Sequence, residues 1–212
     1  HLRGPIETIY RFARSADDIA DSEDLPSEFK RDRLTFFRSE LKKIECDEPT
    51  LTPLFSELGG LIVRHDLPIS LFFQLLDAFE RDLTVHRYEN FNQLQDYCAH
   101  SANPIGRLLL HLFGHTNEEY FKWSDSICTS LQIINFLQDI KDDYDLGRVY
   151  LPKDEMDSFG VTENHIKHRT FDVNWLNFMS FQLERARQYL HDGTELYNCL
   201  LYTSDAADDS LR

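Results

Sequence analysis

No stretch of this chain stays apolar for the roughly 20 consecutive residues that a membrane-spanning helix needs. Cations are scarce as well. Lys and Arg number 22 against 37 Asp and Glu, the formal charge is −15, and no basic stripe with interleaved aromatics occurs. That balance argues against nucleic-acid binding. The four cysteines, Cys46, Cys98, Cys128 and Cys199, form no C-x-x-C pair, so reduced and partly buried thiols are expected. No glycine-rich dinucleotide loop is present, and no NADPH site is therefore expected in this chain. Strand-like alternation never persists and no internal repeat is found, which disfavours a sheet or a solenoid. The first residue is His1 rather than Met, so nothing about a leader peptide follows.

What is present is a globular composition over 212 residues, 42% hydrophobic and 28% charged, enough for one domain with a substantial core. Two Met and two Trp leave sixteen Phe and nine Tyr to supply the bulk, either as ordinary packing or as the lining of an apolar pocket. The periodicity is helical throughout. Helices are expected over about 5–22, then from a Ser27 cap through Ile44, over 52–64 and over 69–85. The segment 91–113 is interrupted by Asn103-Pro104, a long helix runs from Asn117 to Asp143 or Tyr144 and stops near Gly147, and further helices cover 154–159 and 173–200. The expectation is all-α, roughly eight helices in one domain over residues 1–200. Both ends read as incomplete. Residues 201–212 lose all apolar periodicity and read as a non-native tail.

Two aspartate clusters stand out. In Arg14-Ser15-Ala16-Asp17-Asp18-Ile19-Ala20-Asp21, a helix places Asp17 and Asp21 on one face; in Asn135-Phe136-Leu137-Gln138-Asp139-Ile140-Lys141-Asp142-Asp143, it aligns Asn135, Asp139 and Asp143. Like charges one turn apart destabilise an isolated helix, so two such helices point to something strongly cationic between them. Mg²⁺ bridging carboxylates to a diphosphate meets that description, since Mg²⁺ keeps several waters and needs few protein oxygens. Asn135 could add an amide oxygen without further charge. Arg14, Arg148, Tyr150 and Lys153 could grip phosphate oxygens. For any one Asp, a surface salt bridge is an equally good reading; for the paired pattern it is a poor one.

The motifs Tyr10-x-Phe12-Ala13-Arg14-x-x-Asp17-Asp18-x-x-Asp21, Asn135-x-x-x-Asp139-x-x-x-Asp143 and Gly147-Arg148-Val149-Tyr150-Leu151-Pro152 resemble the squalene/phytoene synthase family, in its order and spacing, over about residues 3–200. The first cluster, with Tyr97-Cys98-x-x-Ser101-Ala102-Asn103-Pro104-Ile105-Gly106-Arg107, looks most like that family's bacterial hopanoid-pathway branch, hydroxysqualene synthase. The resemblance implies a trans-isoprenyl diphosphate synthase-like helical bundle around a central apolar cavity. It implies conversion of presqualene diphosphate to hydroxysqualene by diphosphate ionisation, cation rearrangement and a water quench. It also implies two or three Mg²⁺ held by Asp17, Asp21, Asn135, Asp139 and Asp143, with Asp18 and Asp142 in support. Arg14, Arg148 and Tyr150 would bind diphosphate. Gln138, where many relatives carry Arg, would be a weakened contact in the same set and a sign of a different substrate. Tyr10 and Tyr97 match tyrosines facing the reacting carbons. Asn103 could position water, and a helix-breaking turn without chemistry is an equal reading of it.

Other features have plainer readings. His111 and His115 lack the Glu of H-E-x-x-H, which disfavours zinc, and His165 and His168 read as isolated and exposed. The Phe72-Phe73, Leu75-Leu76 and Phe79 stripe and Leu108-Leu109-Leu110 read as core, with one face open to bordering a prenyl tunnel. Rival functions are condensation of two farnesyl diphosphates to presqualene diphosphate or squalene, condensation of geranylgeranyl diphosphates to phytoene, and a catalytically inactive relative acting as an assembly factor. The expected partner is the prenyl diphosphate itself. A cytoplasmic protein, peripheral at the membrane if attached at all, and a monomer or weak dimer complete the expectation.

Overall fold

A computed structural model of the chain describes residues 2–22 and 24–200. Within them lie α1 (Arg3–Asp21), α2 (Ser27–Glu45), α3 (Pro53–His65), α4 (Ile69–Asp82), α5 (Phe91–Ser101), α6 (Asn103–Leu112), α7 (Glu118–Gln138), α8 (Ile140–Asp145), α9 (Lys153–Ser158), α10 (Glu163–His168) and α11 (Val173–Asp192). No strand forms among the described residues; Arg87 and Val149 make one isolated parallel bridge. The all-α expectation holds. The expected tail, 201–212, lies outside the described residues.

The chain forms two compact units, one from the residues up to His86 together with Pro104–Thr116, the other from Arg87–Asn103 and from Asn117 onward. In the first unit, α1 buries Ile9, Phe12, Ala16 and Ala20 at one-turn spacing. Phe12 is the hub of an aromatic core, with ring centroids 5.3 Å from Phe72, 5.9 Å from Phe37 and 6.0 Å from Phe55. The Phe72 edge-on contact at 86° is the geometry that ring quadrupoles favour. Phe72, Leu75, Leu76 and Leu108 are fully buried in this core, the plainer reading of those stripes. Thr8 Oγ1 donates to Glu57 Oε1 at 2.6 Å, and Arg11 pairs with the same carboxylate, fixing α1 on α3. Glu40, on α2, is wholly buried. Its carboxylate accepts from Lys43 Nζ and from the Leu51 N–H, each at 2.6 Å, holding the loop after α2 against the helix.

In the second unit α7 lies along α11. Ser130 Oγ donates to the Ala186 carbonyl at 2.7 Å. Gly193 ends α11 where a side chain would meet α7, since a Cβ would stand 2.7 Å from the Trp123 carbonyl oxygen. Val149, Leu151, Met156, Val161, Ile166, Trp175 and Phe178 pack a separate apolar cluster. Arg185 sits 3.9 Å over the Phe91 ring and also pairs with Glu155, so charge and stacking together tie α5, α9 and α11.

Several local expectations are corrected. Ser27 is the first residue of α2 rather than its cap; Pro26 occupies the cap position with extended backbone, and no side-chain cap bond forms. The long helix from Asn117 does not run through to Tyr144 but breaks at Asp139 into α7 and α8. His165 is not isolated. It forms a capping box with Thr162, stacks on Trp175 at 10° between planes, and meets Asp172 at 3.3 Å. The breaks at Ala102 and Asp139 and the short α10 raise the named helices from the expected eight to eleven.

Candidate functional site

The first cluster sits on the face of α1 opposite its buried stripe. Tyr10 is exposed, and Arg14, Asp17 and Asp21 follow it at one-turn steps. Arg14 resolves part of the like-charge problem locally: Nη1 lies 2.9 Å from Asp17 Oδ2 and Nη2 lies 2.9 Å from Asp18 Oδ1. Its guanidinium therefore holds the two carboxylates side by side, a use of Arg14 beyond the expected phosphate contact.

The second cluster spans the junction of α7 and α8. Asp139 takes φ −100°, ψ 13°, the sparsely populated bridge region in which many active-site residues lie. The one-turn ladder survives the break, because Asp139 N–H donates to the Asn135 carbonyl at 3.0 Å and Asp143 N–H to the Asp139 carbonyl at 2.8 Å. Asn135 and Asp139 are exposed and Asp143 is half-buried. Gln138 turns to a groove of about 380 Å³ lined also by Leu137, Ile140, Lys141, Trp175 and Met179.

Beyond α8 the chain reverses at Gly147, whose φ of +82° a side chain would strain. Arg148 N–H returns to the Asp143 carbonyl at 2.8 Å. The segment that follows is pinned to residues 87–89: Lys153 N–H donates to the Tyr88 carbonyl at 2.9 Å and Asp154 N–H to the Glu89 carbonyl at 3.0 Å. Arg87, which sequence reasoning missed, donates to the Gly147 carbonyl at 2.5 Å and to Glu163 at 2.6 Å. Only its place beside the turn in the folded chain reveals it.

Tyr150 and Tyr97 meet in an aromatic cluster. Phe136 and Tyr150 stack at 4.1 Å with planes 8° apart, and Tyr97 lies 5.6 Å from Tyr150 and 6.1 Å from Phe136. Tyr88 completes it, 5.6 Å from Tyr97 and 5.7 Å from Tyr150. All four rings are buried. Such faces can steady a cation in an apolar setting. Phe136 and Tyr88 were not singled out from sequence, although Phe136 follows Asn135 directly. Cys98, beside Tyr97, is a buried thiol whose pKa is pushed up to about 12 by burial, so it has no nucleophilic role.

Asn103 is buried and accepts from Thr129 Oγ1 at 3.0 Å. It lines an open groove of about 400 Å³ with Asn92, Gln95, Asp96 and Ala99.

The donor atoms in both aspartate clusters are carboxylate and amide oxygens, the hard set that Mg²⁺ prefers over the softer metals. Among the described residues no three His, Cys, Asp or Glu side chains come together as a ready-made metal cage.

The family model for squalene/phytoene synthase matches residues 1–201. The chain belongs to the squalene/phytoene synthase family. Within that family it is 39% identical to the hydroxysqualene synthase of Rhodopseudomonas palustris, over 92% of this chain and 65% of that protein. It is likewise 39% identical to the hydroxysqualene synthase of Zymomonas mobilis, over 74% of this chain and 52% of that protein. A phytoene synthase of Mycobacterium bovis is 31% identical over 75% of this chain and 51% of that protein. The chain thus spans about half to two thirds of these curated relatives. Among solved structures, squalene synthase HpnC from Alicyclobacillus acidocaldarius is similar with a TM-score of 0.87 and 33% identity, covering 94% of this chain and 74% of that one.

Proposed function

We propose that the protein is a Mg²⁺-dependent enzyme that converts presqualene diphosphate to hydroxysqualene in squalene and hopanoid biosynthesis. The observation that carries this reading is the identity to hydroxysqualene synthases, 34–39% among three relatives, in a family member whose two aspartate clusters are both complete. Asp17 and Asp21 from α1, with Asn135, Asp139 and Asp143 from α7 and α8, would hold the ions with the substrate diphosphate. Bound Mg²⁺ supplies neutralisation of the charge that develops on the departing oxygens.

The chain's own residues take the remaining roles. Arg14, held between Asp17 and Asp18, orders that pair and offers its outer N–H groups to phosphate. Arg148, Tyr150 and Gln138 bind and orient the diphosphate. The rings of Tyr97, Phe136 and Tyr150 accept the cation left behind, with Tyr10 on α1 serving the same end. The partner is the prenyl diphosphate, handled by a cytoplasmic monomer or weak dimer that meets the membrane peripherally. No described helix is long and apolar enough to cross a membrane.

The similarity to a phytoene synthase favours one rival reading, head-to-head condensation of two prenyl diphosphates. The full-length protein incubated with Mg²⁺ and either presqualene diphosphate or farnesyl diphosphate separates them. Hydroxysqualene from the first substrate alone supports the proposal. Turnover of farnesyl diphosphate with none of presqualene diphosphate overturns it.

A further inference from the structure

Ser101 closes α5, one turn beyond Tyr97 and in line with Leu94 and Cys98, the buried stripe of that helix. Its Oγ is buried and, among the described residues, has no hydrogen-bond partner. Helical serines normally have an outlet in a carbonyl about one turn back. Ser39, Ser158 and Ser180 of this chain take it, donating to Phe36, Glu155 and Leu176 carbonyls at 2.7–2.8 Å. Ser101 does not. A buried hydroxyl left unmade costs about 1–3 kcal/mol, a cost that a polar visitor on the Tyr97 side of α5 would offset.

Asn103, two residues on, was the other candidate for holding water. Its oxygen is already engaged by Thr129. Its groove companions Asn92, Gln95, Asp96 and Ala99 lie on the side of α5 away from Tyr97 and Ser101, given 3.6 residues per turn. The two polar side chains of this short segment therefore serve opposite sides of the helix, and only Ser101 shares a face with the aromatic cluster.

We propose that the Ser101 hydroxyl positions the water that quenches the carbocation, and so determines that the product is an alcohol. This rests on the presqualene diphosphate reading above. In the step, the C–O bond to diphosphate has broken with its electron pair on the leaving oxygen. A lone pair of the Ser101-bound water then forms the new C–O bond at the rearranged cation. The surplus proton on that oxygen passes to the released diphosphate, leaving hydroxysqualene. Without a placed water, the cation loses a carbon-bound proton instead and ends as a hydrocarbon. Ser101 acts by positioning a reactant rather than by ionising the substrate.

The test compares parental full-length protein with Ser101→Ala and Ser101→Thr on presqualene diphosphate in ¹⁸O-water, reading diphosphate release, the alcohol-to-hydrocarbon ratio and label in the alcohol. Ser101→Ala should release diphosphate at close to the parental rate while its alcohol-to-hydrocarbon ratio falls by about tenfold or more. Ser101→Thr, which keeps the hydroxyl, should restore the ratio. Thermal melting of Ser101→Ala should match or exceed the parent, because no protein partner is lost. An unchanged ratio in Ser101→Ala overturns the inference, as does a marked fall in its melting temperature, which would reveal a partner inside the protein. A parental protein that leaves presqualene diphosphate untouched overturns the functional reading itself, and this inference with it.

Discussion

Gly193→Ala isolates the packing on which the second unit depends. Gly193 has φ −86°, ψ −7°, backbone that alanine adopts freely, so conformation raises no objection. By restricting the unfolded chain, the substitution would by itself add about 0.4–1 kcal/mol of stability. The obstacle is α7. A Cβ at this position would press into Ile127 and stand 2.7 Å from the carbonyl oxygen of Trp123. Ile127 can rotate, but the carbonyl is fixed in its helix, and a comfortable carbon–oxygen approach is about 3.3 Å. The end of α11 must therefore back away by about 0.6 Å, and gaps of 0.5–1 Å forfeit a quarter to a half of each dispersion contact. Overpacking of this kind costs about 1–3 kcal/mol, so the net loss should be about 1–2 kcal/mol, or about 3–6 °C in Tm for a chain of this size. Gly60→Ala is the matched control. Gly60 lies within α3, where an added methyl would meet nothing within 4 Å, and the substitution should gain about 0.5–1 kcal/mol. Urea denaturation followed by circular dichroism reads both. Gly193→Ala as stable as the parent, or more so, refutes the close-approach argument.

Three further outcomes are expected. Burial of Glu40 alone would raise its pKa, but hydrogen bonds from Lys43 and from the Leu51 and Thr52 backbone bring it below the ordinary 4.5. A depressed folded value means stability present above pH 4.5 and lost as pH falls through the folded pKa; Glu40→Gln should flatten that acid limb in urea midpoints measured against pH, and an unchanged limb would contradict it. Arg87→Ala should loosen the Gly147 turn and raise KM for the prenyl diphosphate by about tenfold with a smaller change in kcat; an unaltered KM would show that the turn holds without it. In native protein at pH 8, iodoacetamide followed by mass spectrometry should label exposed Cys46 well before Cys98, whose thiol is pushed up to about 12; equal rates would contradict that burial.

Much of this fold was legible because helical periodicity is a long-range pattern with local stops. Pro104 announced the break between α5 and α6, and Gly147 announced the turn after α8. The break at Asp139 was not legible, since Asn135, Asp139 and Asp143 keep the same spacing whether the helix is continuous or not, and no Pro or Gly marks the junction. The short α10 hid because its capping box uses His165 where Glu or Gln is usual. At the site, the aspartates declared themselves by like charge at one-turn spacing. Tyr88, Tyr97, Phe136 and Tyr150 did not declare themselves as one cluster, because 62 residues separate the first from the last and only folding joins them. Nor could sequence say that Asn103 would be engaged by Thr129 while the Ser101 hydroxyl, among the described residues, would have no partner.

The most direct test of the central claim is diphosphate release from presqualene diphosphate by the full-length protein, titrated with Mg²⁺, for the parent and for Asp17→Asn and Asp139→Asn. The account predicts that release requires Mg²⁺ and that each substitution, one in either cluster, lowers the rate by about 100-fold or more without loss of helical structure. Release that proceeds without Mg²⁺, or at the parental rate in either variant, would contradict it.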